Sequence, residues 1–186
     1  MMGEQHKKHN RREHLNDFHL NVAGEYVYDG ALYACQSDDA KQRRLKRAVW
    51  GMAAILIVAV IAGGCIPAPG MQNCFYVLLP YLGEFLGAAS VIWALAKLGT
   101  DWSTVREYNY KKSVAVLPVR TAVTAVFSLL GAVCELIFFF VNDHAGQTFF
   151  ALLYVLLKLI ALLSVLVLRA EIMQAEWDKL PKKNNF

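Results

Sequence analysis

The chain has 186 residues, of which 56% are hydrophobic and 18% are charged, and its formal net charge is +4. Soluble domains carry about one quarter charged residues, so this composition argues against an ordinary soluble domain and indicates a membrane protein. The length allows one modest domain.

Residues 1–24 are rich in His, Lys, Arg and Asn, and this composition predicts a disordered polar leader. The histidines of the leader complete no recognisable ligand spacing with cysteines or carboxylates, so we expect no metal and no cofactor. The nearby basic residues are explained by membrane topology and anionic lipid headgroups. No motif of nucleic-acid recognition occurs, and we expect no nucleic-acid partner.

Residues 25–47 are predicted to form a small cytoplasmic β-hairpin followed by a basic segment before the membrane. Asp29–Gly30 is a signal for a two-residue type I′ turn, and alternating residues flank it on both sides. The turn would place Tyr28 opposite Ala31 and would require a positive φ at Gly30.

Four long apolar stretches follow, and each approaches the roughly 20 residues that a helix needs to cross a bilayer. They lie at residues 48–65, 75–98, 119–141 and 148–168. Short connections make sequential helices antiparallel neighbours. The expected fold is therefore an all-α integral membrane protein, with an antiparallel four-transmembrane-helix bundle over residues 48–168. Residues 169–186 are predicted to form a cytoplasmic helical tail, and Pro181 is predicted to end its helix.

The basic residues indicate the topology of the predicted spans. Nine of the 19 Lys and Arg lie between Lys7 and Arg47, five between Lys97 and Arg120, and four between Arg169 and Lys183. The connections at residues 66–73 and 142–147 contain no Lys or Arg. The positive-inside rule therefore predicts a multi-pass protein of the cell membrane with both termini in the cytoplasm.

Three ionisable residues interrupt the apolar stretches: Glu84, Glu135 and Lys158. A charge at such depth is costly and needs a partner, a water path or a shifted protonation state. With a helical rise of 1.5 Å per residue, all three lie about 9–15 Å from the same predicted side of the bundle. We therefore predict one intramembrane polar cluster that contains the three residues.

Helical periodicity places polar and small residues beside these three charges. Ser128 and Gly131 share a helix face with Glu135, and small residues flank Glu84, as membrane helices require for close packing. The predicted lining of the cluster is Tyr154, Ser128, Thr124 and Tyr81, and the predicted packing glycines are Gly83, Gly87 and Gly131.

Two hypotheses about function follow from the cluster. In the first, the protein is a non-catalytic subunit or accessory protein, and the buried charges fix the bundle or a contact with another membrane protein or a second copy. In the second, it is a small proton-coupled transporter or channel-like protein that uses the charges. No nucleophile–base set, phosphate-binding loop or zinc motif occurs, so we expect no enzyme.

Cys65 and Cys74 flank the loop between the first two spans. They lie near the predicted outer surface, where thiols can be oxidised. A disulfide that closes this loop and a pair of free thiols at the helix ends are equally compatible with the sequence.

The predicted topology can be tested with single cysteines in a cysteine-free background. A cysteine at Gln72 or at Gln147 should react with a membrane-impermeant thiol reagent in intact cells, because both positions lie in connections without basic residues. A cysteine at Lys111 should react only after the cells are permeabilised. Labelling of Lys111 in intact cells without labelling of Gln72 would reverse the predicted orientation.

Overall fold

The computed structural model describes residues 18–20, 24, 26–28, 30–142 and 147–181. Within these ranges the chain is mostly helical, and its helices are α1 Asp39–Cys65, α2 Pro69–Asn73, α3 Phe75–Leu98, α4 Glu107–Lys112, α5 Leu117–Val141 and α6 Thr148–Gln174. The strands of the described residues are short: β1 Phe18–Leu20, β2 Tyr26–Tyr28, β3 Leu32–Cys35, β4 Val105–Arg106 and β5 Trp177–Lys179.

Four of these helices, α1, α3, α5 and α6, are long and apolar enough to cross a membrane. They contain the four predicted apolar stretches: α3 has the predicted bounds, α1 and α5 begin earlier than predicted, and α6 ends later. Helix α1 begins at Asp39, before the predicted start at residue 48, because the charged run is made of good helix formers such as Ala, Lys, Gln, Arg and Leu. Helix α5 begins at Leu117, and Pro118 occupies its first turn, where its missing N–H costs nothing.

The four long helices pack as a ring. Helix α1 packs against α6, α6 against α5, and α5 against α3, while a less extensive contact between α3 and α1 closes the ring. Helices α3 and α6 therefore lie opposite each other across the bundle. Each helix must bury one face against two neighbours, which is the usual solution for a four-helix bundle.

A layer of alanines lies across the middle of the bundle. One buried alanine comes from each long helix: Ala59, Ala88, Ala125 and Ala161. Such small side chains let helix backbones approach closely. Large apolar side chains fill the bundle on one side of this layer, and the ionisable residues lie on the other side, toward α2.

The predicted hairpin is wrong. Strand β2 pairs antiparallel with β1, with Tyr28 opposite Phe18, whereas β3 is the central strand of a separate antiparallel sheet in the order β4-β3-β5. The residues on the two sides of the expected turn thus belong to different sheets, and Asp29 lies outside the described residues. The fold is therefore not purely α-helical. The predicted disordered leader contains strand β1, and residues 1–17 and 21–23 lie outside the described part.

Gly30 is required for a reason other than the predicted positive φ. Among the described residues, the glycines with positive φ are Gly24 and Gly99. A Cβ at Gly30 would overlap the ring of Tyr28. The Tyr28 hydroxyl donates to the carbonyl oxygen of Ala31 at 3.3 Å and accepts the N–H of Glu107 at 3.3 Å. Gly30 therefore lets Tyr28 attach the N-terminal segment to the start of α4.

The predicted helical tail is also wrong beyond Gln174. Helix α6 ends there, and β5 pairs with β3, with Trp177 opposite Cys35. The Trp177 ring lies 5.8 Å from the rings of both Trp102 and Tyr110. Strand pairing and aromatic burial outweigh continuation of the helix, and they tie the C-terminal tail to the N-terminal segment and the middle connection.

The stack of Tyr33 on Tyr110, with ring centroids 4.2 Å apart, should hold β3 against α4. We expect Tyr33→Ala to remove an aromatic pair worth about 0.5–1.5 kcal/mol beyond its buried area. Limited proteolysis should then cut residues 30–38 faster. Tyr26→Ala is the matched control, because Tyr26 is 76% exposed and its loss should leave the cleavage rate unchanged. Equal cleavage rates for both variants would show that the stack does not hold the strand.

Candidate functional site

A buried ion pair joins α3 and α6 across the ring. The Lys158 Nζ atom contacts the Glu84 Oε2 atom, and the side chains are only 1% and 0% exposed. The other carboxylate oxygen, Glu84 Oε1, accepts the Ser128 hydroxyl at 2.7 Å. Both oxygens of the carboxylate thus have partners inside the protein, and α5 contributes one of them.

These contacts compensate for the burial of two charges. Each ion loses several kcal/mol of hydration free energy in a protein interior, and the mutual attraction compensates only when the geometry is good and further hydrogen bonds are made. The charge-assisted bond from Ser128 supplies such a contact. The net stabilisation by the pair is small, but removal of one partner would leave the other charge buried without compensation.

Two tyrosine rings enclose the ammonium group. Lys158 Nζ lies 4.5 Å from the ring centroid of Tyr81 in α3 and 4.8 Å from that of Tyr154 in α6. At these distances the negative faces of the rings attract a cation. An ammonium carries three N–H donors. Among the described residues one donor has Glu84 as its hydrogen-bond partner, and the tyrosine faces supply the remaining attraction.

Glycines from the other two helices border the lysine side chain. A Cβ built on Gly63 in α1 would lie 3.8 Å from Lys158 Nζ, and one built on Gly131 in α5 would lie 3.6 Å from Lys158 Cε. The cluster is therefore surrounded by all four long helices. Helical periodicity predicts Gly131 as a packing residue but not Gly63, for which the Gly63–Gly64 pair near the end of an apolar run is the only local signal.

Glu135 has a different partner from Glu84. Its Oε1 atom accepts the backbone N–H of Gly70 at 3.3 Å, and a Cβ on Gly70 would overlap its Oε2 atom. Gly70 belongs to the short helix α2, so the sequence between the first two apolar stretches folds back onto α5. This contact, too, was not foreseen from the sequence.

Tyr154 lies beside the ion pair, with its ring centroid 4.8 Å from Lys158 Nζ. It interacts electrostatically with both Glu84 and Glu135, and a Cβ on Gly131 would lie 3.8 Å from its hydroxyl. The side chain is fully buried, and its hydroxyl has no hydrogen-bond partner among the described residues. The structure thus brings Glu84 and Lys158 into direct contact, whereas Glu135 accepts the N–H of Gly70 in α2.

The remaining predicted residues pack α3 against α5. A Cβ on Gly83 would lie 2.6 Å from the ring of Phe127, and one on Gly87 would lie 2.6 Å from Thr124 Oγ1. The Thr124 hydroxyl donates to the carbonyl oxygen of Arg120 at 2.8 Å. Gly83 and Gly87 therefore face a neighbouring helix of the same chain.

The loop cysteines are not bonded. Cys65 and Cys74 are free, as are Cys35 and Cys134, so the disulfide considered for this loop is not formed. Cys65 is exposed and Cys74 is half-buried. The described residues contain no group of three or more His, Cys, Asp or Glu side chains that could hold a metal ion.

Comparison with known proteins does not assign the chain to a family. No protein-family model matches it, and neither a curated protein nor a solved structure is significantly similar. Its function must therefore be argued from its own residues.

Lys158→Met removes the ammonium and keeps most of the side-chain volume. Because Glu84 would then be buried without its counter-charge, we expect the free energy of unfolding to fall by about 3–5 kcal/mol. The measurement is thermal unfolding of the detergent-solubilised protein. Lys41→Met is the matched control, since Lys41 is exposed on α1 and its loss should change stability little. Equal stability of both variants would mean that the ion pair does not constrain the bundle.

Proposed function

We propose that the protein is a multi-pass protein of the cell membrane. Helices α1, α3, α5 and α6 are its antiparallel spans, and both termini lie in the cytoplasm. The hydropathy and length of these helices support insertion. The orientation is supported by the basic residues. Arg43, Arg47, Arg120 and Arg169 all lie near one end of the bundle, which is the end that carries the three-stranded sheet.

Within the membrane, we propose the role of a non-catalytic subunit or accessory protein. The observation that carries this proposal is the contact between Lys158 and Glu84, in which both charges are satisfied by groups of the same chain. A buried polar contact of this kind can fix how far helices are rotated and inserted relative to one another. A bundle held in one register presents a constant surface to a partner.

The proposed partners are the lipid bilayer and another membrane protein or a second copy of the chain. Large apolar side chains cover the outside of the long helices, and examples that are more than 60% exposed are Val58, Leu86, Trp93 and Leu163. Such a surface suits lipid chains and the apolar face of another helix alike.

The second candidate is a small proton-coupled transporter or channel-like protein that uses Glu84, Glu135 and Lys158. Glu135 favours this candidate, because it is a second fully buried carboxylate and it contacts the loop helix α2. Buried carboxylates on membrane helices are common in proton pathways.

Glutamine variants separate the two candidates. We expect that Glu84→Gln lowers stability, that Glu135→Gln leaves the fold intact, and that neither changes proton-driven ion flux in liposomes relative to the wild type. Glu176→Gln is the control, since Glu176 is exposed outside the long helices. Co-purification of a second membrane chain, or a stable oligomer, would support the accessory role. Proton-driven flux in the wild type that Glu84→Gln or Glu135→Gln abolishes in a folded protein would establish the transporter instead.

A further inference from the structure

We propose that the space enclosed by Glu84, Tyr81 and Tyr154 is a binding site for a protonated primary amine, which the Lys158 ammonium occupies in this structure. We call these three residues the amine cage. The proposal goes beyond the structural role of the ion pair, because it assigns the cage a ligand class that does not have to be part of the chain. It rests on the geometry of the cage alone.

The chemistry of the cage matches a primary ammonium group. Glu84 supplies one negative charge and an accepting oxygen, while the two tyrosine rings present their faces at 4.5 and 4.8 Å from the nitrogen. Aromatic faces around a carboxylate are a recurring way to recognise organic cations. A fully substituted ammonium has no N–H to donate to Glu84, so the cage should prefer a primary amine.

The size of the cage also matches a small amine. Gly63 and Gly131 border the Lys158 side chain, and a methyl group at either position would reach ordinary contact distance from it, at 3.8 and 3.6 Å. Ser128 holds the second oxygen of Glu84 at 2.7 Å, so the carboxylate has one oxygen directed at the cation. The space therefore fits a chain as thick as a lysine side chain, with room for about one methyl group beside it at each glycine.

Tyr81 is the least buried member of the amine cage. It is only partly buried, whereas Glu84 and Tyr154 are fully buried. Its hydroxyl lies against Gly64 of α1, where a Cβ would overlap it. This position is between α1 and α3, which share the least extensive contact of the ring.

Lys158 competes with any free amine for the cage. A tethered group acts at a high effective concentration, in the millimolar range or above for short flexible links. Free amines at millimolar concentration should therefore hardly bind to the wild type. Variants with a shorter side chain at Lys158 should leave the cage partly empty. The length of the removed part should then determine which amine fits.

Two variants vacate different lengths. Lys158→Ala removes the three outer carbons and the nitrogen, which is the size of propylammonium, whereas Lys158→Met removes little more than the nitrogen. We expect propylammonium to raise the melting temperature of Lys158→Ala by about 3–6 °C at roughly ten times its dissociation constant. Ammonium and methylammonium should stabilise Lys158→Met more than propylammonium does. Both proteins should be purified with the matching amine present, and the amine then removed and titrated back.

The controls distinguish specific binding from a general salt effect. The double variant Lys158→Ala with Glu84→Gln should lose the response to propylammonium, and the wild type should respond little. Tetramethylammonium at equal ionic strength should stabilise none of the proteins.

Three results would overturn the proposal: no amine response in either variant, an equal response in the double variant, or a response without dependence on amine length. Failure of both variants to fold even with amine present would also count against it, because a real cage should accept the amine in place of the side chain.

Discussion

The buried ammonium of Lys158 is the constraint on which the arrangement of the long helices depends. An ammonium cannot remain in an apolar interior without a counter-charge, so α6 must turn Lys158 toward a carboxylate at the same depth. Glu84 supplies it from α3, on the opposite side of the ring. One contact therefore fixes the rotation and the height of two helices that do not otherwise pack extensively, and Ser128 brings α5 into the same register.

Small residues are the second condition for this arrangement. The lysine crosses the centre of the ring between Gly63 and Gly131, which border its stem on two sides. About one helical turn or more from the ion pair, four alanines let the helix backbones approach closely in the middle of the bundle. The alanine layer and the ion pair are mutually consistent, because a wider separation of the helices would move the two charges apart.

The sheet fixes the other end of the molecule by different physics. Strands from the N-terminal segment, the middle connection and the C-terminal tail meet in the order β4-β3-β5, and the rings of Tyr33, Trp102, Tyr110 and Trp177 pack around them. These contacts depend on aromatic area and backbone hydrogen bonds, and Lys46 adds a cation–π contact, with its Nζ atom 5.7 Å from the ring centroid of Trp102. The bundle is thus held at two levels, by an ion pair in its interior and by a small aromatic sheet at one end.

The sequence by itself determined the four long helices and the inward direction of the ionisable residues. Apolar runs of sufficient length and a helical period are local properties of the chain, and the cost of exposing a charge to an apolar surround directs it inward. Only the tertiary structure decided which group each ionisable side chain contacts. Both glutamates could have paired with Lys158, but the N–H of Gly70 binds Glu135 and leaves Glu84 for the lysine, which depends on how α2 folds back. In the same way, the turn signal at Asp29–Gly30 acts over a few residues, and pairing of β3 with distant strands outweighs it because those strands also bury Trp177 and Tyr33.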